Sequence, residues 1–347
     1  MRRPPPRVVL RVLLFAAALA LMIVLPHWLS SFRSFQFARA GVFFIAILGL
    51  NLLTGYTGQI SLGHGAFMAI GGYTTAILVA DHGVRDLWTI PIAGLVAGLA
   101  GLVVGIPALR LRGLYLALAT FALAVALPSL LKKWEGLTGG NRGIDMFAKG
   151  LNHLTGAVKG EVTVLGHHFA LNDWFYYLVW SIGAVLLVVA WLITRGRLGR
   201  AFRALRDSEI AAVSSGVNLA VYKTLAFAIS GFYAGVAGSL FAIMAAFVNP
   251  QSFSFDLSIQ LLVGTVVGGL GSLSGVVVGA LFIEFLPVGI DALSGVDALP
   301  NWIQTQAKAP GVPSVVYGAA IVLIMFALPT GAGGLLQRLT SRLYTRS

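Results

Sequence analysis

Apolar residues run through this chain in long blocks broken by short polar stretches, and the blocks have membrane length. A helix needs about 20 mainly apolar residues to cross a bilayer. Ten blocks qualify, at 8–28, 36–54, 61–80, 88–107, 114–131, 174–194, 223–247, 257–271, 275–290 and 312–329. Basic residues precede the first block, but no small-x-small cleavage site comes after it, so it reads as a retained helix. Blocks 257–271 and 275–290 are short and glycine-rich. They are either two crossings or one broken, re-entrant element. The pattern predicts an all-α integral membrane protein of about ten transmembrane helices, in a single domain over residues 1–347.

Composition sharpens that picture. The chain is 58% hydrophobic and 10% charged, whereas about a quarter of the residues in a soluble domain are charged. Soluble and disordered classes are excluded. The formal net charge is +12, and it reads best as topology. With the N-terminus inside, 15 of the 24 basic residues fall inside and nine of the 12 acidic residues outside. Both termini are then cytoplasmic, 132–173 is an external loop and 195–222 a cytoplasmic one. Val162, Val164 and Gly166 suggest a small hairpin in the external loop. No basic–aromatic recognition module is present, so no nucleic-acid partner is expected.

Several chemistries are missing. There is no cysteine, no P-loop and no H-E-x-x-H. His167 and His168 are adjacent but have no ligand carboxylate at helical spacing, so neither a metal nor a cofactor is expected. Ser61 and His64 lie one helical turn apart without an orienting acid, so no catalytic residue is assigned. The chain does not read as an enzyme.

Three features carry function instead. "GYTGQISLGHG", Gly55 to Gly65, places Gln59, Ser61 and His64 among glycines between two apolar blocks. It is either a capped hairpin at the inner surface or a broken helix beside a polar path. Glu284 is the one acid within a predicted span. Such a carboxylate is either paired structurally or couples a proton. The internal loop "GRAFRALRDSEIAAVSSGVNLAVYK" puts Phe202 and Leu205 on one helix face with Leu198, and Arg200, Arg203 and Arg206 elsewhere. Asp207 or Ser208 can cap a second short helix that ends before Gly216. This pair of helices meets either anionic lipid or a cytoplasmic partner.

"EIAAVSSG" resembles the E-A-A-x-x-x-G loop of ABC importer permeases, with Ile210 inserted after Glu209. "NLLTGYTGQISLGHGAFMAIGGYTTAIL", from Asn51 to Leu78, resembles branched-chain amino-acid ABC transporter permeases of the LivM type. "LTGGNRGI", the internal loop with its adjoining helix, and "GGLGSLSGVVVGALFIEFLP" resemble further segments of that family, in family order. Arg142 stands where the family often has an acid, Val276 where proline is common, and Glu284 precedes the Leu-Pro rather than coming after it. These departures bear on the substrate, because urea and short-amide permeases share much of the pattern.

The resemblance implies an ABC importer permease fold in a bacterial inner membrane. It implies a second homologous permease, two cytoplasmic ATPase subunits and a periplasmic binding protein as partners. Arg200, Phe202, Arg203, Arg206, Glu209, Ala211, Ala212 and Gly216 would couple to the ATPases, and Gln59, Ser61, His64, Thr138 and Asn141 would line the substrate path. The implied work is translocation of branched-chain or similar hydrophobic amino acids. The alternatives are urea or a short amide, or proton-coupled secondary transport through Glu284.

Overall fold

The computed structural model describes residues 24–26, 28–146, 161–164, 167–294, 318–319, 322–323 and 331–334. The predicted spans 8–28 and 312–329 lie largely outside the described residues. Each of the other eight coincides with a helix. They are α1 (Ser31–Leu50), α2 (His64–Ala80), α3 (Asp86–Ala108), α4 (Leu114–Lys133), α5 (Leu171–Arg195), α8 (Leu219–Ala245), α9 (Phe255–Gly268) and α10 (Gly275–Ser294). Two short helices, α6 (Arg197–Asp207) and α7 (Glu209–Ser214), join α5 to α8. Among the described residues five helices are long and apolar enough to cross a membrane: Ser31–Tyr56, Asp86–Ala108, Leu114–Lys133, Leu171–Arg195 and Leu219–Ala245.

α1 is the centre of the bundle. Residues 40–50 are all buried because other helices surround them on every side. The Trp180 indole donates to the Phe37 carbonyl at 3.0 Å, and the Tyr233 hydroxyl to that of Leu186 at 2.8 Å. These bonds tie α5 to α1 and to α8. α8 packs along α2 and α3 at backbone contact. A Cβ at Gly238 would overlap the Met68 carbonyl oxygen, and one at Gly71 would overlap that of Gly235. Small residues at such crossings let membrane helices approach closely.

One end of the bundle carries Arg110, Arg112 and the arginines of α6, and is here termed the basic end. The far end holds two small sheets. β1 (Ile144–Asp145) pairs antiparallel with β4 (Phe247–Val248), and β2 (Glu161–Val164) with β3 (His167–Ala170). The second is the hairpin expected from Val162 and Val164. Its register sets Val162 opposite Phe169 and Thr163 opposite His168.

Two elements stop short. α9 has 14 residues, or about 21 Å of helix, against about 30 Å of hydrocarbon. The span expected at 257–271 is therefore not a full helical crossing. The chain leaves α8 through β4 and a 3₁₀ turn (Pro250–Phe253) and enters α9 part-way along the bundle. There Phe253 is buried against Tyr73 and Phe241. α10 then returns beside α9, with Gly275 and Gly279 at the Gly268 and Gly264 carbonyls. The second short element is the start of α2.

Candidate functional site

α1 does not end as an α-helix. It continues as a π-helix, Asn51–Tyr56, a form that recurs at functional sites. Two of its carbonyls accept from the next few residues of the chain. The Gln59 amide donates to Leu53, and the Gly58 amide to Thr54. Gly58 sits at φ 72°, a left-handed conformation that glycine adopts freely.

From Gln59 the chain turns back into the bundle, with Ile60 exposed and the chain buried again at Ser61. Ser61 and His64 are fully buried and Gln59 is nearly so. His64 Nε2 is 2.8 Å from the Ala46 carbonyl on α1, and Nδ1 is 3.4 Å from Ser230 Oγ on α8. Ala46 lies ten residues before Tyr56, so α2 begins about 15 Å in from the basic end. α2 therefore starts below the surface of the bundle. Its leading amides are held by hydroxyls. Leu62 N–H donates to Thr120 Oγ1 on α4 at 2.9 Å, Gly63 N–H to Ser61 Oγ at 3.4 Å, and Gly65 N–H to Ser258 Oγ on α9 at 2.9 Å. Gln59 donates from Nε2 to Thr57, while its buried Oε1 has no partner among the described residues.

Thr138 and Asn141 are not part of that cluster. They come after α4 at the far end, about 20 Å along the helix from Thr120. The Thr138 hydroxyl donates to the Leu131 and Trp134 carbonyls and caps the end of α4. Asn141 is exposed. Gly143 holds the adjoining segment against β4, where a Cβ would overlap the Val248 carbonyl.

The basic end carries the other predicted group. Phe202 and Leu205 are buried and fix α6 to the bundle, as their shared face requires. The arginines divide. Arg200 is exposed. Arg206 turns inward and donates from Nη1 to the Gly55 carbonyl at 2.7 Å, at the C-terminal end of the π-helix. Beside it Asn51 accepts the Gly271 amide at 2.8 Å and donates to the Ser272 carbonyl at 3.0 Å. α6, the π-helix and the α9–α10 turn thus share one joint. Arg203 lines a cleft of about 470 Å³ with Tyr56, Thr194 and Ser272.

Glu209 also turns inward. Its carboxylate pairs with Lys223 on α8, whose side chain is buried, and with Arg112 in the α3–α4 loop at 3.1 Å. Of the two possible caps, Ser208 is used, accepting the Ala211 amide at 3.3 Å. Gly216 ends α7 at φ 82°. Gly216 N–H donates to Val213, and Val217 N–H to Ala212, a Schellman closure. Ala212 is buried and Ala211 exposed. Ile210 and Val213 face outward, 76% and 54% exposed. Ser208→Ala removes a cap worth about 1 kcal/mol. Trypsin cleavage after Arg206 should then run about fivefold faster; an unchanged rate would show that the cap does not hold α7.

Glu284 is paired. Arg39 Nε on α1 lies 2.9 and 2.7 Å from its two carboxylate oxygens. Residue patterning had no direct means of joining positions 245 residues apart. The signal available was one base and one acid, each inside a predicted apolar span. Among the described residues no group of three or more His, Asp or Glu could hold a metal ion.

The family described as branched-chain amino acid transport system / permease component matches residues 33–327. The high-affinity branched-chain amino acid transport system permease protein LivM of Escherichia coli (strain K12) is 39% identical over 287 residues, 78% of this chain and 66% of that protein. LivH of the same strain, a permease protein of the same transport system, is 25% identical over 83% of this chain and 89% of its own length. The autoinducer 2 import system permease protein LsrC of Salmonella typhi is 29% identical over 60% of this chain and 57% of its own. The match therefore spans just under two thirds of the LivM relative's length. No solved structure matches the chain. A match from residue 33 to 327, together with the apolar helices, makes this chain a multi-pass membrane protein of the branched-chain amino acid transport system permease family.

Proposed function

We propose that this chain is one membrane-spanning subunit of an ATP-driven importer that passes branched-chain amino acids into a bacterial cytoplasm. The carrying observation is the joint at the basic end. Arg206 of α6 holds Gly55, and the same stretch of chain leads to the buried break at Ser61 and His64. A partner moving α6 would therefore act directly on the break. The exposed Ile210 and Val213 of α7 offer that partner an apolar contact. Two cytoplasmic ATPases would dock there, a second permease would complete the path, and a periplasmic binding protein would deliver substrate at the far end. About ten crossings with both termini inside, in the inner membrane, satisfy the charge distribution. The names of the LivM and LivH relatives support branched-chain amino acids over urea or a short amide.

The path is assigned to Gln59, Ser61 and His64, with Thr138 and Asn141 at its outer mouth. Alanine at Ser61 or His64 should lower leucine uptake, and alanine at Asn141 should weaken capture from the binding protein. Unchanged uptake in all five alanine variants would reduce the break to a structural turn.

Purification of the tagged chain in mild detergent tests the assembly. Recovery with an ATPase pair and a second permease is expected; recovery alone would overturn the proposal. Reversal of Arg203 and Arg206 to Glu tests the coupling. Loss of a charge-assisted bond of about 1.5–3 kcal/mol at Gly55 should cut uptake about tenfold or more while ATP hydrolysis continues. Normal uptake in this double variant would remove α6 from the mechanism.

A further inference from the structure

The cleft at the basic end is lined by groups of three kinds: cationic, hydroxyl and aromatic. Tyr56, Trp191, Thr194, Arg195, Arg203 and the turn Gly271–Ser274 line it. Its rim is cationic. The Arg195 guanidinium lies over the Trp191 ring, 4.2 Å from its centroid. Neither Arg195 nor Arg203 has an acidic partner among the described residues. Hydroxyls of Tyr56, Thr194, Ser272 and Ser274 also line it, with Thr194 donating to the Trp191 carbonyl at 3.0 Å and Ser272 and Ser274 sharing a bond of 3.2 Å. A polar cleft with two unpaired guanidinium groups suits a phosphate.

The surface leading into the cleft is apolar. Val185, Val188, Val189 and Leu192 recur at helical spacing on α5 and are 39–64% exposed. That stripe ends at Arg195, one turn beyond Leu192, with Trp191 beside it. An apolar stripe that closes on a Trp–Arg pair matches an acyl chain closing on its headgroup. A basic pocket between helices at the cytoplasmic side is where anionic headgroups bind.

We propose that this cleft binds an anionic phospholipid, its phosphate between Arg195 and Arg203 and its acyl chain along Val185, Val188 and Leu192. The assignment to the cytoplasmic leaflet rests on the orientation given under the proposed function. The site joins α5, α6, the π-helix and the α9–α10 turn, so an occupant would brace the same joint that Arg206 holds.

Native mass spectrometry of the full chain, released from nanodiscs of equal phosphatidylglycerol and phosphatidylcholine, reads retained lipid directly. Phosphatidylglycerol should be retained, and Arg195→Gln with Arg203→Gln should lower that retention about tenfold. Arg110→Gln, an exposed arginine elsewhere at the same end, should leave it unchanged. Equal retention in the double variant would overturn the proposal, as would loss from the unmodified chain once a second permease is bound.

A second measurement needs no variant. Short-chain phosphatidylglycerol should raise the unfolding temperature of the unmodified chain, and phosphatidylcholine at equal concentration should not. An equal rise with inorganic phosphate would assign the cleft to free anions and overturn the lipid. Retention is read without regard to leaflet, so its failure is separate from failure of the orientation.

Discussion

Arg39→Met should unfold at a far lower temperature than Glu284→Gln, although each removes one half of the same ion pair. The asymmetry comes from burial. The Glu284 side chain is 0% exposed and that of Arg39 is 44% exposed. Without Arg39 the carboxylate is left buried with no cation, a loss of about 3–5 kcal/mol. The exposed share of Arg39 puts the expected value at the low end of that range. Without the Glu284 charge, the glutamine amide oxygen still accepts from Arg39 Nε. The arginine can extend its head toward the interface, so the loss falls to about 1 kcal/mol, one hydrogen bond's worth. Thermal unfolding of both variants in detergent checks this, and equal shifts would refute it. Glu284→Gln should also retain uptake. A transporter that used this carboxylate to carry protons would lose it.

Gly238→Leu should prevent the chain from folding at all. α8 crosses α2 with Gly238 against the Met68 carbonyl and Gly235 against Gly71. A side chain there meets backbone, which cannot rotate away. Overpacking a core costs about 1–3 kcal/mol where side chains give way. Here two helices would have to separate, and α3 lies on the other side of α8 at similar contact, with Gly101 at the Phe227 carbonyl. The variant should elute as aggregate in size-exclusion chromatography after solubilisation. Gly136→Leu is the control, since nothing lies within 4 Å of its Cβ position, and it should elute as the unmodified chain does. A monodisperse Gly238→Leu protein would show that the two helices can separate at this crossing.

The helices were legible because membrane burial writes itself as length. Eight apolar blocks became eight helices, since hydrocarbon leaves the backbone no other way to satisfy its polar groups. Depth was not legible. The run 61–80 reads as one span, yet its first three residues are not helical and α2 starts at His64. That start is fixed by Thr120 and Ser258, hydroxyls supplied by two other helices. The same limit applied at α6. Helical periodicity set Phe202 and Leu205 on one face and the arginines on another, and the buried pair agrees. Periodicity could not tell that Arg206 would reach Gly55 or that Glu209 would turn to Lys223 and Arg112. Those partners lie far along the chain or across a turn, chosen by packing that no local pattern records.

The hydroxyl-bound start of α2 has a consequence for the cell that makes this protein. A membrane that stores energy as a proton gradient is drained by a standing file of water, which relays protons, through any protein that spans it. At the break the amides of Leu62, Gly63 and Gly65 are already paired with Thr120, Ser61 and Ser258, so water gains little by entering. A solute carboxylate gains more, because charged acceptors bind amides about twice as strongly as neutral ones. On the proposed path, the same three bonds would therefore set a threshold that a carboxylate solute can cross and water cannot.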